Sequence, residues 1–200
     1  CGFMICRVSI LAGPTSIGVG TFTGLDGELV VVGGRAFRVG VDGRPQVVDA
    51  TAGTPFAQVV AFGPTRRVAV PPGTACADLD PILARLGGPD AMVAVRVRGT
   101  FSALVTRSVP AQPVPYPTLT AAVAKQVVFD LGRQRAVLVG FRSGASVAGL
   151  SAPGLHLHGL TADRSAGGHV LSCVAGADVD LAIEPIRGVA LALPGRAEGS

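Results

Sequence analysis

The chain contains three histidines, and all of them lie between positions 156 and 169. One residue separates His156 from His158, whereas His169 follows after a loop that ends in two glycines. If the first pair lies on a β-strand, both side chains point to the same face, about 6.6 Å apart along it. Two imidazoles at that spacing can converge on one ion, each at about 2.0–2.1 Å. The pattern therefore predicts a divalent metal site with His156, His158 and His169 as its protein ligands.

The segment after the first two histidines is expected to return the chain as a hairpin, which would place His169 beside them at the start of the next strand. Three protein ligands leave coordination positions free, which is typical of a catalytic rather than a structural site. Cys173 is not expected to fill one of them, because it lies about 13 Å beyond His169 along a strand. Imidazole nitrogens bind zinc, iron, copper and nickel alike, so the residues predict a divalent transition metal without identifying it.

The elements around the histidines are predicted to be mainly short strands. Valine is abundant, aromatic residues make up 4 % of the chain, and 28 glycines and 15 prolines supply many turns. Glu28–Val32 and Arg35–Val39 flank a Gly-Gly pair, which predicts a β-hairpin with a two-residue turn. Helical spacing is confined to residues 74–86 and to a short stretch over 119–126.

Two further pairs of strands are predicted on either side of a proline-rich stretch. Residues 92–97 and 103–109 are expected to be a strand and its returning partner, with Gly99 in the turn between them. Residues 127–141 are expected to form another hairpin that turns near Gly132.

The fold class predicted from these elements is α+β and β-rich, with mixed or antiparallel sheets and few short helices. We expect a single compact unit over 1–200. If it has two closely packed lobes, they are an N-terminal β-rich lobe over 1–109 and a C-terminal metal-binding lobe over 110–200, because the proline-rich stretch follows Val109.

Composition and charge argue against several classes of protein. Apolar residues make up 48 % of the chain and charged residues 15 %, which indicates a globular protein. The net charge of +4 comes from scattered arginines, since Lys125 is the only lysine, and no basic face with interleaved aromatic residues is visible. We therefore expect no nucleic-acid partner. Residues 108–124 carry no charge, but their prolines exclude a membrane span, and no membrane association is expected.

The four cysteines, at positions 1, 6, 76 and 173, form no close CxxC pair. Neither a zinc ribbon nor a disulfide framework is expected, and free or buried thiols in a reducing compartment favour a cytoplasmic location. Because the sequence begins with Cys1 rather than methionine, a cleaved export signal or a lipidated Cys1 stays open.

Three blocks of the sequence closely resemble the α-acetolactate decarboxylase family. Residues 154–171, GLHLHGLTADRSAGGHVL, resemble its metal-binding segment. Residues 18–28, GVGTFTGLDGE, and residues 99–117, GTFSALVTRSVPAQPVPYP, resemble its amino-terminal and central signatures, in the same order. Weaker matches extend the resemblance over roughly residues 17–194.

The resemblance implies an enzyme that converts 2-acetolactate into acetoin and carbon dioxide with a zinc-type ion and no organic cofactor. It assigns the metal ligands to the three histidines, the active-site glutamate to Glu28 and the active-site arginine to Arg107. It also implies a homodimer whose subunits have two β-rich lobes. The family's second glutamate, in a carboxyl-terminal tail, is matched by Glu198 in position only, and whether so short a tail reaches the metal stays open.

These residue types suit that chemistry. The hydroxyl and carbonyl oxygens of acetolactate can chelate one ion, and loss of carbon dioxide leaves an enediolate whose charge the metal stabilises. Arg107 stays protonated and is expected to hold the carboxylate or the enediolate. Glu28 is expected to deliver the proton to one face, which requires a pKa raised by partial burial. Without the resemblance, the favoured interpretation of Glu28 is the polar end of a hairpin, and that of Arg107 is a surface charge.

Two alternatives stay open at this point. A cupin-type metal dioxygenase or isomerase also uses a His-x-His pair and a later histidine, but usually adds a glutamate a few residues after the pair, where this chain has Asp163 as its only acidic residue. A non-catalytic metal-binding module would account for the histidines, but not for the blocks that contain Glu28 and Arg107.

Overall fold

The computed structural model describes Cys6–Arg7, residues 13–49 and residues 51–190 of the chain. Strands dominate this part of the molecule. They are β1 (Cys6–Arg7), β2 (Ser16–Thr21), β3 (Glu28–Val32), β4 (Arg35–Val39), β5 (Pro45–Val47), β6 (Gly53–Thr54), β7 (Phe56–Ala61), β8 (Arg66–Ala69), β9 (Val93–Ser108), β10 (Val127–Asp130), β11 (Gln134–Ser143), β12 (Gly154–Thr161), β13 (Gly167–Ala175) and β14 (Asp180–Pro185). The α-helices are α1 (Leu79–Gly87) and α2 (Leu119–Val123), with 3-10 turns at Thr23–Leu25, Cys76–Asp78 and Ala145–Val147.

The first large sheet has five antiparallel strands in the order β5-β4-β3-β2-β7. Its β3–β4 hairpin is the one predicted from the sequence, with Val32 paired to Arg35. The turn residues Gly33 and Gly34 have φ values of 58° and 74°. Only glycine takes two successive positive φ values without strain, so this turn sets the register of the hairpin.

The second large sheet has seven strands, all paired antiparallel, and is arranged around the long strand β9. β11 pairs with β12, β12 with β13, β13 with β9, and β9 with β11, so these four strands close a barrel-like ring. β14 also pairs with β9 and carries β8 at its far side, whereas β10 pairs with the end of β9. The β-rich fold class is thereby confirmed.

The predicted turn at Gly99 is wrong, because residues 93–108 form one continuous strand. Gly99 lies inside it with a φ of 147°, and a Cβ added there would lie 2.4 Å from the carbonyl oxygen of Asp178. The glycine therefore allows the backbone of a distant segment to approach β9 closely, rather than reversing the chain.

The predicted hairpin over residues 127–141 is also wrong. The chain does turn between β10 and β11, but these two strands do not pair with each other. β10 pairs with residues 105–108 of β9 and β11 with residues 93–101, so they follow one another along the same long strand.

The prediction of free thiols is wrong for one pair of cysteines. Cys76 and Cys173 form a disulfide that joins positions 97 residues apart, with a Cα–Cα distance of 5.0 Å. Neither residue belongs to a short cysteine motif, so their pairing depends on the tertiary fold. The cytoplasmic location inferred from the cysteine pattern stays a prediction, and its premise does not hold for this pair.

Two apolar clusters hold the sheets in place. One fills the space between the two large sheets, with Ile17, Val19, Val30, Phe37 and Val39 from the first and Ala94, Val139, Phe141, Leu160 and Ala182 from the second. The other lies on the opposite face of the second sheet and includes Leu79 and Leu83 of α1. The division into lobes at residue 109 stays a prediction, and β9, which ends just before it, pairs with strands that follow it. Among the described residues, no helix has the length and apolar character of a membrane span.

Candidate metal centre

The β12–β13 hairpin brings the three histidines together. His158 pairs directly with His169 across the hairpin, and His156 precedes His158 by two positions on the same strand. His156 Nε2 lies 3.1 Å from His158 Nε2 and 3.2 Å from His169 Nδ1. The three candidate ligand atoms all lie within 4.8 Å of one another, so the cluster could hold one metal ion.

The strand alternation expected from the sequence explains which side chains meet. Leu157, between the first two histidines, points the other way and is buried in the cluster around α1. On β13 the register with β9 shifts after Val170, and Leu171 is the additional residue of this bulge. Because the bulge reverses the alternation, Cys173 lies in the core on the face opposite His169 and is not part of the histidine cluster.

A backbone carbonyl from the first sheet orients His158. The Nδ1 of this buried ring lies 2.8 Å from the carbonyl oxygen of Leu29. A carbonyl oxygen can only accept, so Nδ1 carries the proton and donates it. Nε2 is then left with its lone pair facing the other two rings, which is the tautomer that a metal ligand needs.

Burial keeps the three rings neutral. It is the main cause that lowers the pKa of His156 to about 4 and that of His169 to about 3, with the charge of Arg107 as the next cause in both. The pKa of His158 is lowered as well, first by burial and then by its two histidine neighbours. Neutral imidazoles are the form that binds metal ions, so protons do not compete for the site near neutral pH.

Glu28 and Arg107 reach the same place from different sheets. Arg107 lies on β9 directly opposite His169, and Glu28 is the first residue of β3. Arg107 Nη1 donates to Glu28 Oε1 at 3.1 Å, and Glu28 Oε2 lies 3.5 Å from His158 Nε2. Since His158 is neutral, the second contact is a polar contact and not an ion pair. Both predicted active-site side chains therefore border the histidine cluster.

The carboxyl group of Glu28 is balanced between two opposing effects. Burial disfavours its charged form and is the largest influence, whereas Arg107 and a hydrogen bond from the backbone of Val109 favour that form. Burial prevails, and the pKa of Glu28 rises to about 7. A carboxyl group with this pKa can both hold and release a proton near neutral pH.

Several supporting contacts were not predicted from the sequence. The Thr106 hydroxyl donates to the Gly167 carbonyl at 2.9 Å, and the Ser108 hydroxyl donates to the Val39 carbonyl at 2.8 Å. These two bonds fix β9 on either side of Arg107. The Leu29 carbonyl was also missed, because every residue has a carbonyl group and nothing in the sequence singles one out. Glu198 lies outside the described residues.

The fold and the centre define a β-rich protein with a histidine cluster where two sheets meet. The family model for alpha-acetolactate decarboxylase matches residues 6–199, and the chain belongs to this family, as its sequence motifs indicated.

Relatives and solved structures agree with this assignment. The chain is 39 % identical over 168 residues to the alpha-acetolactate decarboxylase of Methanosarcina mazei, covering 84 % of this chain and 58 % of the relative. It is 37 % identical over 162 residues to that of Methylococcus capsulatus, covering 80 % and 62 %. The crystal structure of alpha-acetolactate decarboxylase from Bacillus subtilis strain 168 superposes with a TM-score of 0.89 at 30 % identity, covering 98 % of this chain and 84 % of that one. The chain thus spans about three fifths of the length of these two curated relatives.

Proposed function

We propose that this protein is a metal-dependent decarboxylase that converts 2-acetolactate into acetoin and carbon dioxide. The observation that carries the proposal is the meeting of three neutral histidines from one sheet with a glutamate of the other sheet, which accepts a hydrogen bond from Arg107. Membership of the family supports the assignment of the substrate.

His156, His158 and His169 would hold one divalent transition metal ion, for which zinc is the expected choice. Their ring nitrogens converge, the rings are neutral, and the proton of His158 is held away from the cluster by Leu29. When bound, the ion supplies Lewis-acid stabilisation of the negative charge that develops on substrate oxygens as carbon dioxide leaves.

Arg107 is proposed to bind the anionic parts of the reaction. Its guanidinium group stays charged at any working pH and has five N–H donors. The contact of Nη1 with Glu28 uses one of them, so the group can also bind a carboxylate. The Arg107 side chain is 13 % exposed, and in such surroundings a fixed charge stabilises a substrate anion more strongly than it does in water.

Glu28 is proposed to return the proton that replaces the lost carboxyl group. With a pKa raised to about 7, its carboxyl is protonated in a large fraction of molecules near neutral pH. Arg107 holds this group at the edge of the cluster, where Glu28 Oε2 lies 3.5 Å from His158 Nε2. A proton delivered from one fixed position reaches one face of the enediolate, which would give acetoin of one handedness.

A cupin-type enzyme and a non-catalytic metal-binding module remain the competing proposals. Both account for the histidines, but neither explains why Glu28 and Arg107 border the histidine cluster. We also propose a homodimer, as the family resemblance implies, and a cytoplasmic location.

The test is an assay of acetoin formation from racemic 2-acetolactate by the full chain. We expect activity that is lost after treatment with a chelator and regained on adding Zn²⁺ or another divalent transition metal. Elemental analysis is expected to find about one ion per chain, and His169→Ala to lose both the ion and the activity. Binding of metal without acetoin formation would favour the non-catalytic module, and oxygen consumption or isomerisation instead would favour the cupin-type enzyme.

A further inference from the structure

A short segment before α1, residues 73–78, lies along the distal half of β13, and we refer to it as the strap. The Gly73 N–H donates to the Ala175 carbonyl at 2.8 Å, and the Ala175 N–H donates to the Thr74 carbonyl at 2.8 Å. Ala75 also forms an antiparallel bridge with Val174. The strap is therefore joined to β13 by two backbone hydrogen bonds and an isolated β-bridge.

The strap pairs with a part of β13 that β12 does not reach. The two strands pair only at positions 158–160 and 167–169, next to the histidines. Beyond His169, the strand pairs with β9, and the strap joins it at Val174 and Ala175. The half of β13 that follows His169 is thus held by the strap, which lies about 100 residues earlier in the sequence.

A covalent bond reinforces this pairing. Cys76 directly follows the paired residues of the strap, and its disulfide partner Cys173 is buried in β13. The bulge at Leu171 is what turns Cys173 away from the metal face and towards the strap side. Cys173 packs in one cluster with Leu79 and Leu83 of α1, so the bond joins strap, helix and strand.

We propose that Cys76 and Cys173 are a thiol-oxidation site whose disulfide locks the strap and α1 onto the strand that carries His169. In the oxidation a sulfur–sulfur bond replaces two S–H bonds. Two protons and two electrons pass to an oxidant of the disulfide class, which is reduced to two thiols. The bond closes a very long loop, and restraining such a loop in the unfolded chain is a strong source of stabilisation.

The thiol state therefore sets the stability of this side of the molecule. Cys76 is only half-buried, whereas Cys173 is buried, so a reductant attacks at the Cys76 sulfur. The oxidised form belongs to oxidising surroundings, where disulfides persist. This inference does not depend on the proposed decarboxylase activity, since it concerns the fold alone.

The first experiment establishes the bond. The full chain, produced under oxidising conditions, is alkylated in denaturant without reductant and digested with trypsin. Cleavage after arginine releases residues 68–85 and residues 165–187, each with a single cysteine. We expect these two peptides to be linked and to separate on reduction. Recovery of both as separate alkylated peptides would overturn the proposal.

The second experiment measures its effect. Reduction of the wild-type protein is expected to lower Tm by about 5–15 °C. The double variant Cys76→Ala/Cys173→Ala should have a Tm close to that of the reduced protein and unchanged by reductant, whereas Cys6→Ala, the matched control, should keep the wild-type response. Equal Tm values for the oxidised and reduced wild-type protein would contradict the proposal that the disulfide stabilises the attachment of the strap to β13.

Hydrogen exchange separates a local lock from a general loss of stability. In the double variant, amides of residues 173–175 are expected to exchange roughly tenfold faster or more. Amides of the β3–β4 hairpin, in the other sheet, should change much less. A uniform change in both regions would contradict a lock that acts on β13.

Discussion

Glu28 shows how one residue can combine strong burial with a contact to a positive charge. Its side chain is 7 % exposed, which favours the neutral acid, and it accepts a hydrogen bond from Arg107, which favours the carboxylate. Burial is the stronger effect, so the pKa of Glu28 rises to about 7 instead of staying near its usual value. An ordinary surface glutamate could not carry a proton at pH 7, so this environment is what makes the proposed role possible.

Glu28→Gln tests that role with almost no change in shape. The amide oxygen can still accept from Arg107, so Tm and metal content should stay close to the wild-type values. Because the amide cannot donate a proton as the acid does, kcat should fall by about 10²–10⁴-fold and the acetoin should lose its single handedness. Rate assays with chiral chromatography measure both effects.

Glu184→Gln is the matched control, since this glutamate lies on β14 and accepts from the Gly63 N–H. It should leave kcat and product handedness unchanged. Full rate and unchanged handedness in Glu28→Gln would remove Glu28 as the proton donor.

At the scale of elements, the hairpin that carries the histidines depends on a close backbone contact. Gly168 has a φ of 134°, and a Cβ there would lie 2.5 Å from the Arg107 carbonyl oxygen. Gly168→Ala should therefore destabilise the fold by at least about 3 kcal/mol and reduce metal content, because β13 must move away from β9. Urea unfolding and elemental analysis test this.

Gly132→Ala is the control for that substitution. Gly132 also has a positive φ, of 59°, but a Cβ there meets nothing within 4 Å. Its cost should be only about 1–2 kcal/mol, with metal content retained. Equal effects of the two substitutions would show that the contact with β9 is unimportant.

The loop between β12 and β13 contains a pH-dependent contribution to stability. Asp163 Oδ1 accepts hydrogen bonds from the Thr161 hydroxyl and from the N–H and hydroxyl of Ser165, which lower the pKa of Asp163 to about 2. A depressed pKa means that the folded state favours the carboxylate. This stabilisation is complete above pH 3.8, the pKa of an aspartate in the unfolded chain, and is lost as the pH falls through about 2.

Asp163→Asn should therefore lower the midpoint of urea unfolding at pH 7, because a neutral amide accepts weaker hydrogen bonds than a carboxylate. The difference from wild type should persist at pH 5 and shrink between about pH 4 and pH 2. Asp42→Asn is the control, because Asp42 lies in another exposed turn and accepts a single backbone N–H, that of Arg44. A difference that stays constant down to pH 2 would contradict the assigned cause.

Local pairings in this fold could be predicted from the sequence, and long-range ones could not. The β3–β4 hairpin follows from its two turn glycines, and the histidine hairpin from a short loop, because the partners are neighbours in sequence. Gly99 also suggests a turn, but it lies inside a strand where the backbone of Asp178 approaches closely. The spacing of residues in the sequence does not reveal this contact. The Cys76–Cys173 bond was missed for the same reason.

The candidate site divides along the same line. Three histidines at strand spacing indicated a cluster without further help, since their type and separation carry the chemistry. Glu28 and Arg107 were found only through the family resemblance, because they come from separate strands and each is unremarkable alone. Contacts made by backbone groups, such as that of the Leu29 carbonyl with His158, could not be predicted, because every residue type has the same carbonyl group.

At the scale of the whole molecule, the candidate site exists only where the two large sheets meet. The first sheet supplies Glu28 and the Leu29 carbonyl, and the second supplies the histidines and Arg107. The apolar cluster between the sheets fixes their separation. Since a displacement of about 1 Å can cost roughly 100-fold in rate, packing far from the histidines should affect catalysis.

Two substitutions of the same chemical type separate this effect from stability alone. Val19 and Val97 are both fully buried, but Val19 packs between the sheets and Val97 packs in the cluster behind the second sheet. Val19→Ala and Val97→Ala should each destabilise the fold by about 1–3 kcal/mol. Well below their Tm values, Val97→Ala should keep kcat, whereas Val19→Ala should lower it about tenfold while metal content stays the same, because the position of Glu28 relative to the histidines changes. Equal kcat values for both variants would show that the packing between the sheets does not position Glu28.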